Sequence, residues 1–412
     1  MEESGAARPG FFRRVTTPAP IHDLAVIGAG PAGAAAAYHA ARAGLRVALL
    51  DRAEFPRDKI CGDGLTGRAV QELRRLELEE AVRRRGARID RFDLRAPLGR
   101  VAALLQDAGS PGYAYVLPRR QLDAMLVERA VEAGATLLTP CEVRGWEDAG
   151  TALRLSVETP AGVTAVSARQ VILATGAHSG LALRMRLLKR KPRSMVAIRQ
   201  YVAAPGGPGD TWHLHFSPAT LPGYGWIFPT GDGGANVGVG LEHRRGSVSL
   251  PELLRQYLHS REARRLLGDA APRSAARSFP LRCDFLASPL IAPRILIAGE
   301  AAGLVNPLTG EGIDYALESG RLAAEHAVRI VAGESGAAAA YAASLHDHYA
   351  RLFAFSERLR GWCGNPWGVS ALALGAMARP RLKNRLVGIL LGDAPVPERA
   401  DVARLARALW QG

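Results

Sequence analysis

The sequence predicts an α/β protein with a Rossmann-type nucleotide-binding domain, an inserted antiparallel-sheet domain and a helical C-terminal region. Three observations predict this architecture. A buried strand at 23–28 leads through a glycine-rich turn into an alanine-rich helix at 31–44, and a second strand follows at 46–51. Residues 195–245 carry strand-like runs separated by Gly and Pro turns. From residue 336 onward the apolar pattern is helical.

The remaining segments follow from periodicity along the chain. An Arg-rich helical stretch covers about 67–85, and residues 119–134 have the apolar spacing of an amphipathic helix. Alternating residues at 153–167 predict a hairpin, 171–174 a buried strand, and 311–332 a long helix. We therefore expect the nucleotide-binding domain at 21–90, 119–185 and 291–335, a substrate-domain segment at 91–118, the antiparallel substrate-binding sheet at 186–290, and the helical region at 336–412.

Composition narrows the class of protein. The chain has 412 residues, of which 48% are hydrophobic and 22% charged, so a sizeable globular core is expected. The four cysteines form no CxxC pair, which argues against a disulfide framework and a structural zinc site, and we assign no metal ligands. With no targeting signal and no run of ~18 apolar residues, a cytoplasmic protein is expected.

The formal net charge of +14 has two open interpretations. One is a solvated surface rich in arginine; the other is attraction to an anionic membrane surface or an acidic substrate. The basic clusters are short and not interleaved with aromatic residues, so nucleic acid is not an expected partner. Residues 368–392 are mostly apolar and are interrupted by a basic cluster, Arg379, Arg381, Lys383 and Arg385. This segment could lie peripherally on the inner face of the membrane or pack as C-terminal helices on the nucleotide-binding domain.

The first glycine-rich turn predicts a dinucleotide site. In Gly28-Ala-Gly30-Pro-Ala-Gly33, Gly28 permits the tight turn, Gly30 lets a pyrophosphate approach the backbone, and Gly33 allows close helix–strand packing. The following helix offers free N–H groups to the phosphates. Asp51 ends the next strand, where a carboxylate accepts hydrogen bonds from a ribose, which fits FAD or NAD better than NADP. The predicted residues here are Gly28, Gly30, Ala32, Gly33, Asp51 and Arg52.

A second glycine-rich junction favours FAD. Gly299-Glu-Ala-Ala-Gly303 follows a late strand, and Asn306-Pro-Leu-Thr-Gly-Glu-Gly312 leads into a helix. A tightly held dinucleotide with a long ribityl chain would need such a second anchor, and the helix could aim its N–H groups at negative charge on the flavin. The predicted residues are Gly299, Glu300, Gly310, Gly312 and Ile313.

These paired motifs resemble the flavoprotein hydroxylase fold, with its glutathione-reductase-type FAD domain and inserted substrate sheet. Pro56-Arg-Asp-Lys-Ile-Cys61-Gly-Asp-Gly64-Leu resembles the flavin-side loop of geranylgeranyl reductases. Leu221-Pro-Gly-Tyr224-Gly-Trp226-Ile-Phe228-Pro229, followed by Gly238-Val-Gly240, resembles that family's YxWxFP…GxG signature. The resemblance runs from about residue 22 to about residue 395. It implies an FAD enzyme that reduces carbon–carbon double bonds in isoprenoid chains.

The resemblance also implies roles for particular residues. Arg120 would reach the FAD phosphates or ribityl chain, the alternative being a surface arginine. Cys61 and Gly62 would lie near the flavin, and Cys61 and Tyr224 are the candidate acids, although a lone cysteine is often a small buried apolar residue. Three alternating residues of one strand, Tyr224, Trp226 and Phe228, would form an apolar wall for a prenyl chain. The alternative is that these side chains belong to the hydrophobic core of the sheet.

Two departures from the family pattern leave questions open. Glu300 stands where the family usually has the Asp that binds the ribityl chain. Ala174-Thr-Gly-Ala-His178 lacks an Asp that the hydroxylase fold often carries there, so the external reductant could be NADH, NADPH, a ferredoxin or another reductase.

The competing function is a flavin-dependent monooxygenase or halogenase on the same fold, since a fold does not fix a function. A halogenase would need a suitably placed lysine, and Lys59 is the lysine in a flavin-side motif. A third class is a non-catalytic flavin-binding protein. Candidate substrates of the reductase are geranylgeranyl diphosphate, archaeal-type ether lipids, menaquinone side chains, or a prenylated or polyene secondary metabolite.

Overall fold

The computed structural model describes residues 21–108, 111–192, 194–217, 219–242 and 249–392. Its strands are β1 His22–Ile27, β2 Val47–Leu50, β3 Gly64–Leu65, β4 Ala87–Ile89, β5 Arg91–Arg95, β6 Arg100–Leu104, β7 Ala114–Val116, β8 Thr136–Leu138, β9 Glu142–Asp148, β10 Leu153–Thr159, β11 Gly162–Leu173, β12 Ser194–Ala203, β13 Thr211–His215, β14 Gly223–Pro229, β15 Gly234–Glu242, β16 Arg277–Arg282, β17 Ile291–Ala292 and β18 Ile295–Ile297.

The helices are α1 Pro31–Arg42, α2 Gly67–Arg75, α3 Glu79–Arg85, α4 Arg119–Glu132, α5 Gly180–Arg184, α6 Leu250–Leu258, α7 Arg261–Leu267, α8 Ile313–Val331, α9 Ala337–Cys363, α10 Pro366–Ala378 and α11 Pro380–Leu390. Short 3-10 turns occur at Leu105–Asp107, Phe285–Ala287 and Gly299–Ala302.

The nucleotide-binding domain is built on an 8-stranded sheet whose main path runs β17-β18-β11-β1-β2-β8. Strand β1 pairs in parallel with β2 and β11, and β18 pairs in parallel with β11. The predicted hairpin and the predicted strand at 171–174 share one element, because β11 runs through both and adds β10 and β9 as an antiparallel extension. The carboxyl ends of the parallel strands therefore meet along one edge, where open α/β sheets bind ligands.

Small residues let two helices of this domain approach closely. Helix α1 buries an alanine-rich face, and α8 crosses it at Gly320. A Cβ atom at Gly320 would lie 2.2 Å from the carbonyl oxygen of Ala32, so the contact requires glycine. This packing fixes the N-terminus of α1 relative to α8.

The second unit is a 7-stranded sheet in the order β16-β12-β15-β14-β13-β5-β6. Its strands β12 to β15 come from the region predicted to be an antiparallel sheet, and β5 and β6 come from the segment at 91–118. Strand β7 of that segment pairs instead with β3 and β4 in a 3-stranded sheet between the two units. The sheet packs one face against α6 and α7 through a core that includes Ile227, Val237 and Leu253.

The C-terminal helices divide between the two units. Helix α9 packs on the nucleotide-binding domain, where Tyr341, Tyr349 and Phe353 are buried. Helices α10 and α11 pack instead on β5 and β6, sharing a core with Phe92 and Val101. The predicted helical pattern beyond residue 392 lies outside the described residues. Within the part of the chain that the structure describes, the helices are all too short or too polar to cross a bilayer.

Candidate functional site

A cavity of about 630 Å³ opens between the nucleotide-binding domain and the substrate sheet. It begins at the carboxyl ends of the parallel strands, where Gly28 follows β1 and Asp51 follows β2. Its other walls are the loop at 57–64, the start of α8 and the face of β14. Its volume lies in the range of roughly 300–1,000 Å³ that is typical of small-molecule and cofactor sites.

The first glycine-rich turn forms an open cradle at one end of this cavity. Gly28 has φ of +100°, and a Cβ there would lie 2.4 Å from the carbonyl oxygen of Ala174. Gly30 faces the cavity, since the nearest atom to an added Cβ is an Arg57 nitrogen at 3.8 Å. Gly33 does not line the cavity; its Cβ would lie 1.7 Å from the Gly28 carbonyl oxygen, so it serves helix–strand packing. Helix α1 has no side-chain cap, which leaves its first N–H groups available to an anion.

The carboxylate of Asp51 lies beside this cradle and is oriented by two backbone hydrogen bonds. Its carboxylate accepts hydrogen bonds from the backbone N–H groups of Ala29, at 2.8 Å, and Ala53, at 2.9 Å. These donors orient the carboxylate, and the remaining lone pairs face a cavity that can take ribose hydroxyls. Arg52 also lines the cavity, and its guanidinium donates to Nε2 of His178 at 2.6 Å.

The second glycine-rich junction also contributes to the cavity wall. Glu300 lines it, and Oε1 of Glu300 accepts the backbone N–H of Arg282 at 3.0 Å. Gly299 is not on the wall; its Cβ would lie 2.7 Å from Cβ of Ala32, so it allows close packing. The start of α8 has no side-chain cap and reaches the cavity through Gly310, Gly312 and Ile313. The cavity wall thus includes the uncapped N-termini of two helices, α1 and α8, which fit the pyrophosphate and the flavin ring of FAD.

The prediction for Arg120 is corrected by the structure. Arg120 is exposed and does not line the cavity, whereas Arg119 is buried and does. The guanidinium of Arg119 donates to both carboxylate oxygens of Asp123, at 2.6 and 2.8 Å. Arg57 donates to the same carboxylate at 2.9 Å. Neighbouring helical residues point about 100° apart, so a shift of one position separates a cavity residue from a surface residue.

The buried carboxylate of Asp63 holds the flavin-side loop in place by hydrogen bonds. The sequence did not predict this role. Asp63, fully buried, accepts hydrogen bonds from the Tyr201 hydroxyl at 2.5 Å, from Nδ2 of Asn236 at 2.8 Å and from the backbone N–H of Arg119 at 3.2 Å. Nδ2 of Asn236 also donates to the carbonyl oxygen of Cys61 at 2.8 Å. Burial raises the pKa of Asp63 to about 6, although the hydrogen bonds from Tyr201 and Asn236 act in the opposite direction. The sequence pointed to Asp63 only through its position inside the flavin-side motif Cys61-Gly-Asp-Gly64.

The aromatic side chains of β14 line the cavity, and one of them is also packed into the sheet. Tyr224, Trp226 and Phe228 all line the cavity, as their alternation on β14 predicts. Trp226 pairs across the sheet with Gly238, and a Cβ there would lie 2.2 Å from the indole ring. The indole N–H donates to Oδ1 of Asn236 at 3.0 Å. The GxG part of the signature therefore makes room for Trp226, which is packed into the sheet as well as exposed to the cavity.

A second, apolar cavity of about 90 Å³ adjoins the first. Trp212, Tyr224, Phe228, Thr309 and Glu311 line both cavities. Most of its other wall residues are aliphatic or aromatic and lie on β5, β6, β13 and the C-terminal helices, among them Phe92, Leu94, Val101, Val369, Leu372 and Leu386. This small cavity extends the larger one with an apolar wall between the sheet and the C-terminal helices.

The candidate acids lie on the wall of the larger cavity. Burial raises the pKa of the Cys61 thiol. Burial, together with the nearby Glu311, also raises the pKa of Tyr224, whose hydroxyl donates to the carbonyl oxygen of Thr309. Burial lowers the pKa of Lys59, whose ammonium lies 3.5 Å from the centre of the Phe279 ring.

Comparison with known proteins agrees with this geometry. A family model described as FAD binding domain matches residues 22–351. The chain is 39% identical over 402 residues to a menaquinone reductase of Mycolicibacterium smegmatis, covering 93% of this chain and 95% of that protein. It is 35% identical over 321 residues to digeranylgeranylglycerophospholipid reductase 1 of Methanopyrus kandleri, covering 75% and 81%. A geranylgeranyl bacteriochlorophyll reductase-like protein of Thermoplasma acidophilum has the same fold, with a TM-score of 0.80, 22% identity and coverage of 94% and 99%.

We expect Gly30→Val to abolish FAD binding while the protein still folds. The space beside Gly30 is open apart from Arg57, so the valine side chain would occupy the volume that the pyrophosphate needs without striking the backbone. Flavin absorbance of the purified protein, with its circular dichroism spectrum, measures both effects. Gly361→Val, at an exposed helical glycine with no atom near its Cβ position, is the matched control. Stoichiometric FAD in a folded Gly30→Val protein would contradict this placement of the pyrophosphate.

Proposed function

Because the chain belongs to the geranylgeranyl reductase family of FAD-dependent oxidoreductases, we propose that it reduces carbon–carbon double bonds in the isoprenoid chain of a lipid or quinone. The junction of the two cavities carries this proposal. The larger cavity has the anchors that FAD requires, and the apolar cavity that opens from it suits a prenyl chain. Tyr224 and Phe228 contribute to both, so an alkene in the chain can lie beside the flavin.

The cofactor supplies one half of the chemistry: reduced FAD, when bound, provides a hydride from N5. The protein supplies the rest. An isolated trisubstituted alkene does not stabilise an anion, so protonation of one alkene carbon must precede or accompany hydride arrival at the other. The packed wall of Trp226 and Phe228 excludes water from this position and aligns the chain. The sequence predicted Cys61 and Tyr224 as the proton donor, and both stay predictions.

The relatives favour a prenylated quinone among the candidate substrates. The menaquinone reductase matches nearly the whole chain, whereas the digeranylgeranylglycerophospholipid reductase matches three quarters of it at lower identity. Both names specify molecules with a long isoprenoid chain, which is the part that the apolar cavity suits. The external electron donor, NADH, NADPH or ferredoxin, stays a prediction.

An anaerobic turnover assay tests this function. The FAD-loaded protein, reduced with dithionite, is mixed with a menaquinone and, separately, with a digeranylgeranyl phospholipid, and the products are analysed by mass spectrometry. We expect the side chain to gain two hydrogen atoms per reduced double bond without oxygen. A product that gains an oxygen or halogen atom and forms only in air would contradict the reductase and support the competing monooxygenase or halogenase.

We further propose that the protein docks on an anionic membrane surface beside the apolar cavity. Large apolar side chains are exposed together near the ends of α9 and α10, and we call Leu98, Trp362, Trp367, Leu374 and Met377 the apolar patch. Trp367 is 74% exposed and Met377 54%. The turn between β5 and β6 joins the patch to α10, since the backbone N–H of Leu98 donates to Oγ of Ser370 at 3.1 Å.

Charge and position both support a bilayer as the occupant. The basic cluster predicted from the sequence follows directly after the patch, with Arg381 and Arg385 exposed on α11. Basic residues beside an exposed apolar face are the pattern of interfacial helices on anionic lipid. The opposite side of α10 lines the apolar cavity through Val369 and Leu372. A prenyl chain could therefore pass from the lipid into the site past this helix.

Vesicle flotation tests the docking surface. We expect the protein to float with phosphatidylglycerol vesicles and to float less with phosphatidylcholine vesicles. The triple variant Trp367→Ser, Leu374→Ser and Met377→Ser should lower the affinity for vesicles by at least about tenfold, since burying one large apolar side chain is worth roughly 1.5–3 kcal/mol. Val163→Ser, at an apolar residue 57% exposed on the distant β10–β11 hairpin, is the control. Equal behaviour of the triple variant and the wild type would remove the patch as the docking surface.

A further inference from the structure

Glu311 occupies the junction of the two cavities. It lines both of them, and it belongs to the Asn306–Gly312 motif that leads into α8. Its backbone is fixed, because its carbonyl oxygen accepts the N–H of Asn306 at 2.8 Å and its own N–H donates to Oγ1 of Thr309 at 3.3 Å. In the residues that the structure describes, its carboxyl group is in no ion pair. Glu311 therefore presents its side chain where the two cavities meet.

A row of acidic side chains continues from Glu311 along α8. Asp314 is 1% exposed, and its Oδ2 has no hydrogen-bond partner. Glu318, one helical turn further, forms an ion pair with Arg68 of α2 and accepts the hydroxyl of Tyr349 at 2.7 Å. The side chains of Arg68 and Glu318 are 20% and 17% exposed. The row therefore leads from the cavity junction to groups that reach solvent.

The surroundings of Glu311 favour the protonated form of its carboxyl group. Burial raises the pKa of Glu311 well above its usual value, and the nearby Asp314 acts in the same direction. The backbone N–H groups of Gly312 and Ile313 and the Arg68 guanidinium oppose this rise without cancelling it. Burial likewise raises the pKa of Asp314, against the effect of Arg68.

Two other titratable groups, Tyr224 from β14 and Cys61 from the flavin-side loop, are close to Glu311, and the pKa of each is also raised. A phenol and a thiol start from higher pKa values than a carboxyl group, and burial raises the pKa values of Tyr224 and Cys61 further. A buried carboxyl is the group whose pKa moves toward the operating pH, which is where a general acid works best.

Resting on the proposed reductase function, we propose that Glu311 is the acid that protonates the alkene and that Asp314 returns the proton to it. The O–H bond of Glu311 breaks as a C–H bond forms on one alkene carbon, and the neighbouring carbon accepts the hydride from the reduced cofactor. The alkene gains one proton and one hydride, which together are two hydrogen atoms and carry the two electrons that the cofactor loses. The Glu311 carboxylate then takes a proton from Asp314. Solvent restores the proton of Asp314 through the partly exposed end of the row.

Infrared spectroscopy tests the protonation state without turnover. We expect the difference spectrum between the wild type and Glu311→Gln at pH 7 to contain the C=O stretch of a neutral carboxyl group. The matched difference between the wild type and Cys61→Ser should lack that band. A difference spectrum showing an ionised carboxylate at Glu311 would overturn the proposal.

Single turnover under anaerobic conditions tests the chemical role. With dithionite-reduced FAD and a menaquinone substrate, Glu311→Gln should slow alkene reduction by roughly 10²–10⁴-fold, the usual contribution of a general acid. FAD content and thermal midpoint should match the wild type, and Glu311→Asp should recover part of the rate. If Glu311→Gln reduces the alkene at the wild-type rate, the proposal is overturned. The same holds if the rate of alkene reduction falls by this factor only in Cys61→Ser or Tyr224→Phe. If the wild-type protein reduces no prenyl alkene, the proposed function is overturned. The infrared band would still show whether the carboxyl group of Glu311 is protonated.

Discussion

The buried carboxylate of Asp63 ties the nucleotide-binding domain to the substrate sheet. It takes hydrogen bonds from the first residue of α4, from Tyr201 on β12 and from Asn236 on β15. Removing it would leave these buried donors unpaired, at about 1–3 kcal/mol each. A second tie runs beside it, where Arg199 donates to both carboxylate oxygens of Asp58 at 2.7 and 2.8 Å. The loop that carries Cys61 is therefore held against the sheet from both of its ends.

The position of this loop determines where the two cavities meet. Gly62 lies against the ring of Phe228, with an added Cβ only 3.4 Å away, so the loop packs directly on the aromatic strand. Asn236 links the same loop to the indole of Trp226. The aromatic wall, the flavin-side loop and the start of α8 therefore form one connected surface. An acid at the start of α8 can act on a chain lying along that wall only because the loop and the sheet hold the wall in place.

Local patterns predicted the parts of this structure that depend on local backbone. The strand–turn–helix with Gly28 and Gly33 needs little more than its own residues, and it has the geometry that its spacing predicts. Arg120 was misplaced because helix phase at a terminus cannot be read to one residue, and Arg119 is the one that faces the cavity.

Features made by tertiary packing were harder to predict. Glu311 belongs to the Asn306–Gly312 motif, but its place between two cavities depends on strands far away in the sequence. The segment at 368–392 was predicted either to lie on a membrane or to pack on the nucleotide-binding domain. It packs on the substrate sheet and leaves Leu374 and Met377 exposed, a division that requires knowing which face of α10 the sheet covers.

A crystal structure of the FAD-loaded protein with a bound prenylated quinone would test the central claim most directly. We expect the isoprenoid chain in the apolar cavity between β5 and α10, with one alkene between the flavin and the carboxyl group of Glu311. An alkene within contact of both groups is the predicted result. A chain bound outside this cavity, or an alkene beside the flavin with Glu311 turned away from it, would contradict the account.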